Sequence, residues 1–136
     1  MKKIAILFAL ILLFPATVSA NEITLTSTIE PKASYVFSST GSSINQAYYG
    51  GNCGLLGVGK GTVQIILQKQ NDYNKFWYTY DGQNYIKGFS DTRVCAYSKN
   101  YTLPAGKFRC KAIITATVNG ITDTRTVYSP ELTVYD

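Results

Sequence analysis

The side chains that could do chemistry in this sequence are few: Cys53, Cys95 and Cys110, a run of aromatic residues from Tyr73 to Tyr85, Asp72, Asp81 and Asp91, and a glycine-rich stretch over positions 50–61. The chain has no histidine, so a Ser-His-Asp triad, a Cys-His dyad, an imidazole metal site and a histidine pH switch are all excluded from this polypeptide on its own. The three aspartates could in principle supply the paired carboxylates of a glycosidase. Each sits beside Gly, Asn or Ser, however, where Asp is expected for its backbone hydrogen bonds in turns. The run Gly54-Leu55-Leu56-Gly57-Val58-Gly59-Lys60-Gly61-Thr62 comes within one residue of a phosphate-binding loop, but Gly61 occupies the place of the magnesium-binding hydroxyl. The run also leads into a strand, not a helix. Its glycines read as a bulged strand and turn. No catalytic residue, metal site or cofactor site emerges, and the chain reads as non-enzymatic.

An odd number of cysteines in a chain of this size implies one disulfide and one spare thiol. Three pairings are open. Alternation puts Cys110 on a core face beside Phe108 and Ala112, and puts Cys95 in phase with Arg93 and Tyr97 on a wetter face. That favours Cys53 with Cys110, leaving Cys95 free. Without a histidine to activate it, the spare thiol has no evident nucleophilic role.

The aromatic run offers binding chemistry. Phe76, Trp77, Tyr78, Tyr80 and Tyr85 carry large apolar area, and several have polar handles, so such rings suit stacking on sugar faces or a peptide. In strand phase Phe76, Tyr78 and Tyr80 share one side and Trp77 takes the other. The competing reading, which carries more weight here, is a core face with a cross-strand ladder behind it.

The elements that must position these groups are strands. In the N-terminal segment Lys2 and Lys3 precede an unbroken apolar run from Ile4 to Phe14, Pro15 breaks it, and Val18-Ser19-Ala20 sets small residues at a cleavage site. Residues 1–20 therefore read as a secretory signal helix cleaved after Ala20. The apolar run is too short for a membrane span, which needs about 20 residues. Cleavage leaves residues 21–136, with 11 basic and 8 acidic side chains. The cations are scattered, so nucleic acid is not an expected partner, and no membrane span remains.

After position 20 apolar residues recur at every second position, and Val, Ile, Thr and Tyr dominate the runs. Strands are expected over 23–30, 34–38, 43–49, 62–69, 75–80, 83–89, 92–98, 108–118 and 121–128. Turns are expected at 39–42, 71–74 and Asp81-Gly82, with a two-residue type I′ hairpin at Asn119-Gly120. About seven to nine strands without crossover helices imply an all-β, two-sheet antiparallel sandwich forming a single domain, with a small barrel as the alternative. The Asn119-Gly120 loop also sets Ala116 opposite Asp123 and Ile114 opposite Arg125, placing both charges on the core-facing side. They must pair with each other at the rim, or else a bulge must shift the register. The rim pair is the favoured solution.

Taken in order, the signal segment, Ser34-Tyr35-Val36, the 61–69 stretch from Gly61-Thr62-Val63 to Leu67-Gln68-Lys69, Trp77, Tyr101 through Gly106-Lys107-Phe108-Arg109, Asp123-Thr124-Arg125 and Tyr128-Ser129 form a recognisable series. The series resembles a family of small secreted proteins of uncharacterised function from Gram-positive, chiefly clostridial, bacteria. The resemblance implies an immunoglobulin-like sandwich and supplies no catalytic residue. Many members of that family lack cysteines, so the three here depart from its pattern. The expected product is an extracellular binding or interaction module. Its partner would be a cell-envelope polysaccharide met by the aromatics between Tyr73 and Tyr85, or an extracellular protein inhibited or attacked through the 50–61 loop or an open sheet edge.

Overall fold

The computed structural model describes residues 34–136. The expected signal segment and the expected strand over 23–30 lie outside the described residues. Within them the chain forms β1 (Phe37–Ile44), β2 (Tyr48–Gln70), β3 (Trp77–Asn100), β4 (Gly106–Val118), β5 (Ile121–Tyr128) and β6 (Leu132–Val134), with no helix. All pairings are antiparallel.

The organising element is β2. Along one side it pairs with β3 over nearly its whole length, from Tyr48 opposite Asn100 to Gln70 opposite Trp77. Along the other side its first half pairs with β1 and its second half with β4. β5 continues the sheet beyond β4, and β6 adds to the start of β4. A strand of 23 residues cannot stay flat. It bends through the glycines at 54, 57, 59 and 61, where the β2–β3 register shifts, so the sheet curls and its two halves face each other across the core. The closeness of that approach is visible at Cys110, whose main-chain carbonyl accepts the Ser42 hydroxyl at 3.0 Å from β1.

Period-two alternation decides what fills the curl. In β4 Phe108, Cys110, Ala112, Ile114, Ala116 and Val118 are buried, while the residues between them are half-exposed. Val63, Ile65 and Leu67 of β2 meet them, and Val36, Phe37, Tyr49, Cys53 and Leu55 close the core from the other half. On the outer face the threonine hydroxyls pair across strands, Thr115 with Thr124 at 3.0 Å and Thr117 with Thr122 at 2.6 Å.

Several local expectations need correction. The segment 39–42 is not a turn: β1 runs through it, and the reversal falls at Asn45, whose N–H donates to the Tyr48 carbonyl. Asp81-Gly82 is not a hairpin either. Thr79 faces Gln68 and Asn84 faces Ile66, so residues 80–83 bulge out opposite Leu67 alone, with Asp81 and Gly82 at φ 50° and 63°. Asp91, at φ 51°, sits where the β2–β3 register shifts again. The three strands expected over 75–80, 83–89 and 92–98 thus merge into β3, because Asp and Gly supply positive φ equally well to a bulge and to a turn. The glycine-rich 50–61 stretch, read as a bulged strand and turn and offered to a partner as a loop, is strand throughout: it lies in β2 and carries two of its register shifts, with no turn. Asn119-Gly120 is the expected hairpin, with φ 52° and 79°.

The cysteine expectation is overturned. Cys53 is bonded to Cys95, and the buried Cys110 is the free thiol. The β2–β3 register puts Cys53 and Cys95 directly opposite, with Cα atoms 5.0 Å apart. Cys110 lies instead opposite Leu67, in the other half of the curl. Alternation assigned Cys95 to a wet face because Arg93 shares its phase. The curl turns that face inward, leaving Cys95 5 % exposed.

Candidate ligand-binding face

The aromatic residues do not form one platform. Tyr80 and Tyr85 are half-buried against the core. Tyr80 stands edge-on to Phe108 with centroids 5.4 Å apart, and edge-on to Tyr101 at 6.2 Å. Tyr78 is exposed and tilted 59° against Tyr80. Lysines cover several of these rings: Lys69 lies 5.4 Å from the Tyr80 centroid, Lys99 4.4 Å from Tyr85 and Lys87 5.7 Å from Tyr97. Tyr85 and Lys87 belong to the first half of β3, Tyr97 and Lys99 to the second, so these contacts stitch together the edge where β3 is folded over. Tyr101 donates to Asp81 at 2.7 Å, and this bond, aided by burial, pushes its phenol up to about 12. The tyrosine cluster is thus a structural seam, as the core-or-ladder reading expected for part of the run.

Phe76 and Tyr73 lie in the β2–β3 connection and are 72 % and 95 % exposed. The loop that carries them is held by Asn71, whose side-chain oxygen accepts the N–H groups of Tyr73 and Asn74, and by Asn74, whose side chain accepts the Phe76 N–H. Lys75 occupies φ 65° there.

Trp77 takes the outer face, opposite in phase to Tyr78, as alternation requires. It meets a partner the sequence reading did not single out. The guanidinium of Arg109 lies 4.3 Å from the Trp77 ring centroid and 4.3 Å from that of Tyr128, close to an aromatic ring on two sides. Its Nε donates to the Gln68 side-chain oxygen at 2.8 Å, which orients the planar group. Lys111 adds an ammonium 6.0 Å from the Tyr128 centroid. These side chains come from four strands that the sheet order brings side by side. Gln70 faces Trp77, Gln68 faces Arg109, and Lys111 faces Tyr128.

Neither ion pair among the described residues involves this group. Lys107 pairs with Glu131 at 3.8 Å and Arg125 with Asp123 at 3.1 Å. The second is the rim pair expected from the hairpin register, and Asp123 also accepts the Ser34 hydroxyl at 3.0 Å. Partial burial pushes the Asp123 carboxyl up, but the Ser34 hydroxyl, the Thr124 N–H and Arg125 outweigh it and hold the group below the ordinary carboxylate range.

Two surface clefts are small. A cleft of about 190 Å³ lies beside the disulfide, lined by Val63, Lys87, Phe89, Cys95 and Tyr97 among others, and one of about 240 Å³ lies near Lys60 and Asp91. Both fall below the several hundred Å³ of a typical enclosed ligand site, so an open face is the better candidate for recognition. Among the described residues no three or more Cys, Asp or Glu gather in a way that could hold a metal ion. Asp72, Asp81 and Asp91 are all exposed.

No family model matches the chain, and no curated protein or solved structure matches it either.

Proposed function

We propose that this chain is an exported, non-enzymatic β-sandwich of immunoglobulin-like type, released after cleavage of residues 1–20, which binds a cell-envelope polysaccharide on the outer face around Trp77, Arg109 and Tyr128. The disulfide between Cys53 and Cys95 supports an oxidising, extracellular setting. Curling of one antiparallel sheet around a single core supports the sandwich reading, and the sequence resemblance supports the immunoglobulin-like one.

The observation that carries the functional reading is the Arg109 guanidinium stacked by two rings on the outer face, with no carboxylate paired to it among the described residues. Rings and an oriented multidentate donor, surrounded by Gln68, Gln70 and Thr79, match the alternating C–H faces and hydroxyls of a sugar chain. Retention on purified cell-wall material is the test. Trp77→Ala and Tyr128→Ala should each release the protein at unchanged melting temperature, whereas Tyr135→Ala, which removes a more exposed ring elsewhere, should not. Equal retention of all three variants would refute the assignment of the face.

A second reading is favoured by one observation of its own. The rigid connection that exposes Tyr73 and Phe76 offers two preordered aromatic anchors to a protein pocket. Capture of an extracellular protein that is lost in Phe76→Ala, with cell-wall retention absent in the unaltered chain, would select it. The 50–61 stretch contributes little to a protein-partner reading, being paired within the sheet over most of its length.

A further inference from the structure

We infer that the polymer bound at this face is acidic, with carboxylate or phosphodiester groups along its sugar chain. The inference rests on the binding face proposed above and names the chemistry it selects.

Arg109 is built for an anion. Its Nε is committed to Gln68, which leaves the terminal nitrogens, and no other hydrogen bond from this side chain occurs among the described residues. A guanidinium fixed in plane presents the paired N–H geometry that carboxylate and phosphate oxygens accept in bidentate fashion. Lys111 doubles the positive charge near Tyr128. The rings also act on the charge. Two rings within 4.3 Å of the guanidinium carbon displace part of its water, and a less hydrated cation gains more from an anion.

A neutral glycan would use the rings and amides but leave two cations unanswered. An anionic bilayer would answer the cations. Around Arg109, however, Gln68, Gln70, Thr79 and Thr126 share the outer face, and amides and hydroxyls pressed on a lipid surface lose hydrogen bonds that sugar hydroxyls would replace. The observations favour the glycan.

The experiment is a set of titrations of the purified protein with polygalacturonate, poly(glycerol phosphate), neutral dextran and phosphatidylglycerol vesicles. Each is run at about 50 and 500 mM salt, with melting temperatures recorded for every variant. At least one of the two acidic polymers should bind ten-fold or more tighter than dextran, and its affinity should fall at high salt. Which of the two binds tells carboxylate from phosphodiester recognition. Arg109→Gln should lose ten-fold or more on that polymer, while Arg109→Lys, which keeps the charge but not the planar fork, should fall between.

Dextran binding as tightly as both acidic polymers, or Arg109→Gln leaving acidic-polymer binding unchanged while Trp77→Ala abolishes it, overturns the acidic selectivity and leaves the binding face intact. Vesicle binding without glycan binding overturns it in favour of lipid. No binding to any of the four probes, with cell-wall retention also absent, removes this inference and the proposed function together.

Discussion

Gly51 and Ala112 meet across the interior of the curl: a β-carbon placed on Gly51 would stand 2.7 Å from the Ala112 methyl and 3.5 Å from Val63 and Ile65. Gly51 belongs to the first half of β2, and the residues it approaches belong to its second half and to β4. The bend is therefore tight enough that one methyl group decides whether the halves close.

Gly51→Ala should destabilise the protein by about 1–3 kcal/mol, the usual penalty for overpacking a closed core. The double variant Gly51→Ala, Ala112→Gly should recover much of that loss, since it moves the same methyl to the other wall. Chemical denaturation of the four species forms a double-mutant cycle. A coupling energy near zero would mean that the halves do not press on each other here.

The cysteine arrangement predicts one alkylatable thiol after unfolding without reductant and none in the native state, because Cys110 is fully buried and burial pushes its thiol up. Peptide mapping should find the link between Cys53 and Cys95. Replacing both with serine should cost about 4 kcal/mol in the loop-entropy model for their separation of 42 residues. Recovery of a peptide joining Cys53 to Cys110 would contradict the register of β2 and β3.

Acid should weaken the fold partly through Asp123. Its carboxyl is held below the ordinary value when folded, so the unfolded chain takes up the proton first as pH falls. The stability it contributes is complete above the ordinary carboxylate range, and it drains away as pH drops through the lowered folded value, from about pH 5 downward. Asp123→Asn should flatten that part of the melting-temperature profile. An unchanged slope would show that the Ser34 and Arg125 contacts do not favour the charged form.

At the β4–β5 turn, Gly120 sits at φ 79° with open space around it. Gly120→Ala should therefore destabilise through backbone strain alone, by about 1 kcal/mol, whereas Asn119→Gly should be nearly neutral. Thermal melts of both variants separate the two effects.

Much of this fold is legible in residue order. The burial pattern of β4, the Asn119-Gly120 turn and the Asp123–Arg125 rim pair follow from alternation and from a hairpin whose loop length fixes its register. What alternation cannot supply is the path of a strand that bulges and curls. Asp81 and Asp91 look like turn residues because the same positive φ serves both purposes, and the phase of Cys95 appears wet until the curl turns that face inward. The candidate face was half legible for the same reason. Trp77 is conspicuous in sequence, but Gln68, Arg109 and Tyr128 join it only through the order β3, β2, β4, β5, which no single segment encodes.

Trp77 is the sole tryptophan of the chain, so its fluorescence reports on the candidate face alone. Titration with polygalacturonate or poly(glycerol phosphate) should shift or quench its emission saturably, with the response lost in Arg109→Gln and kept in Tyr135→Ala. Cell-wall material that retains the protein while Trp77 emission stays constant would place the ligand elsewhere and contradict the account.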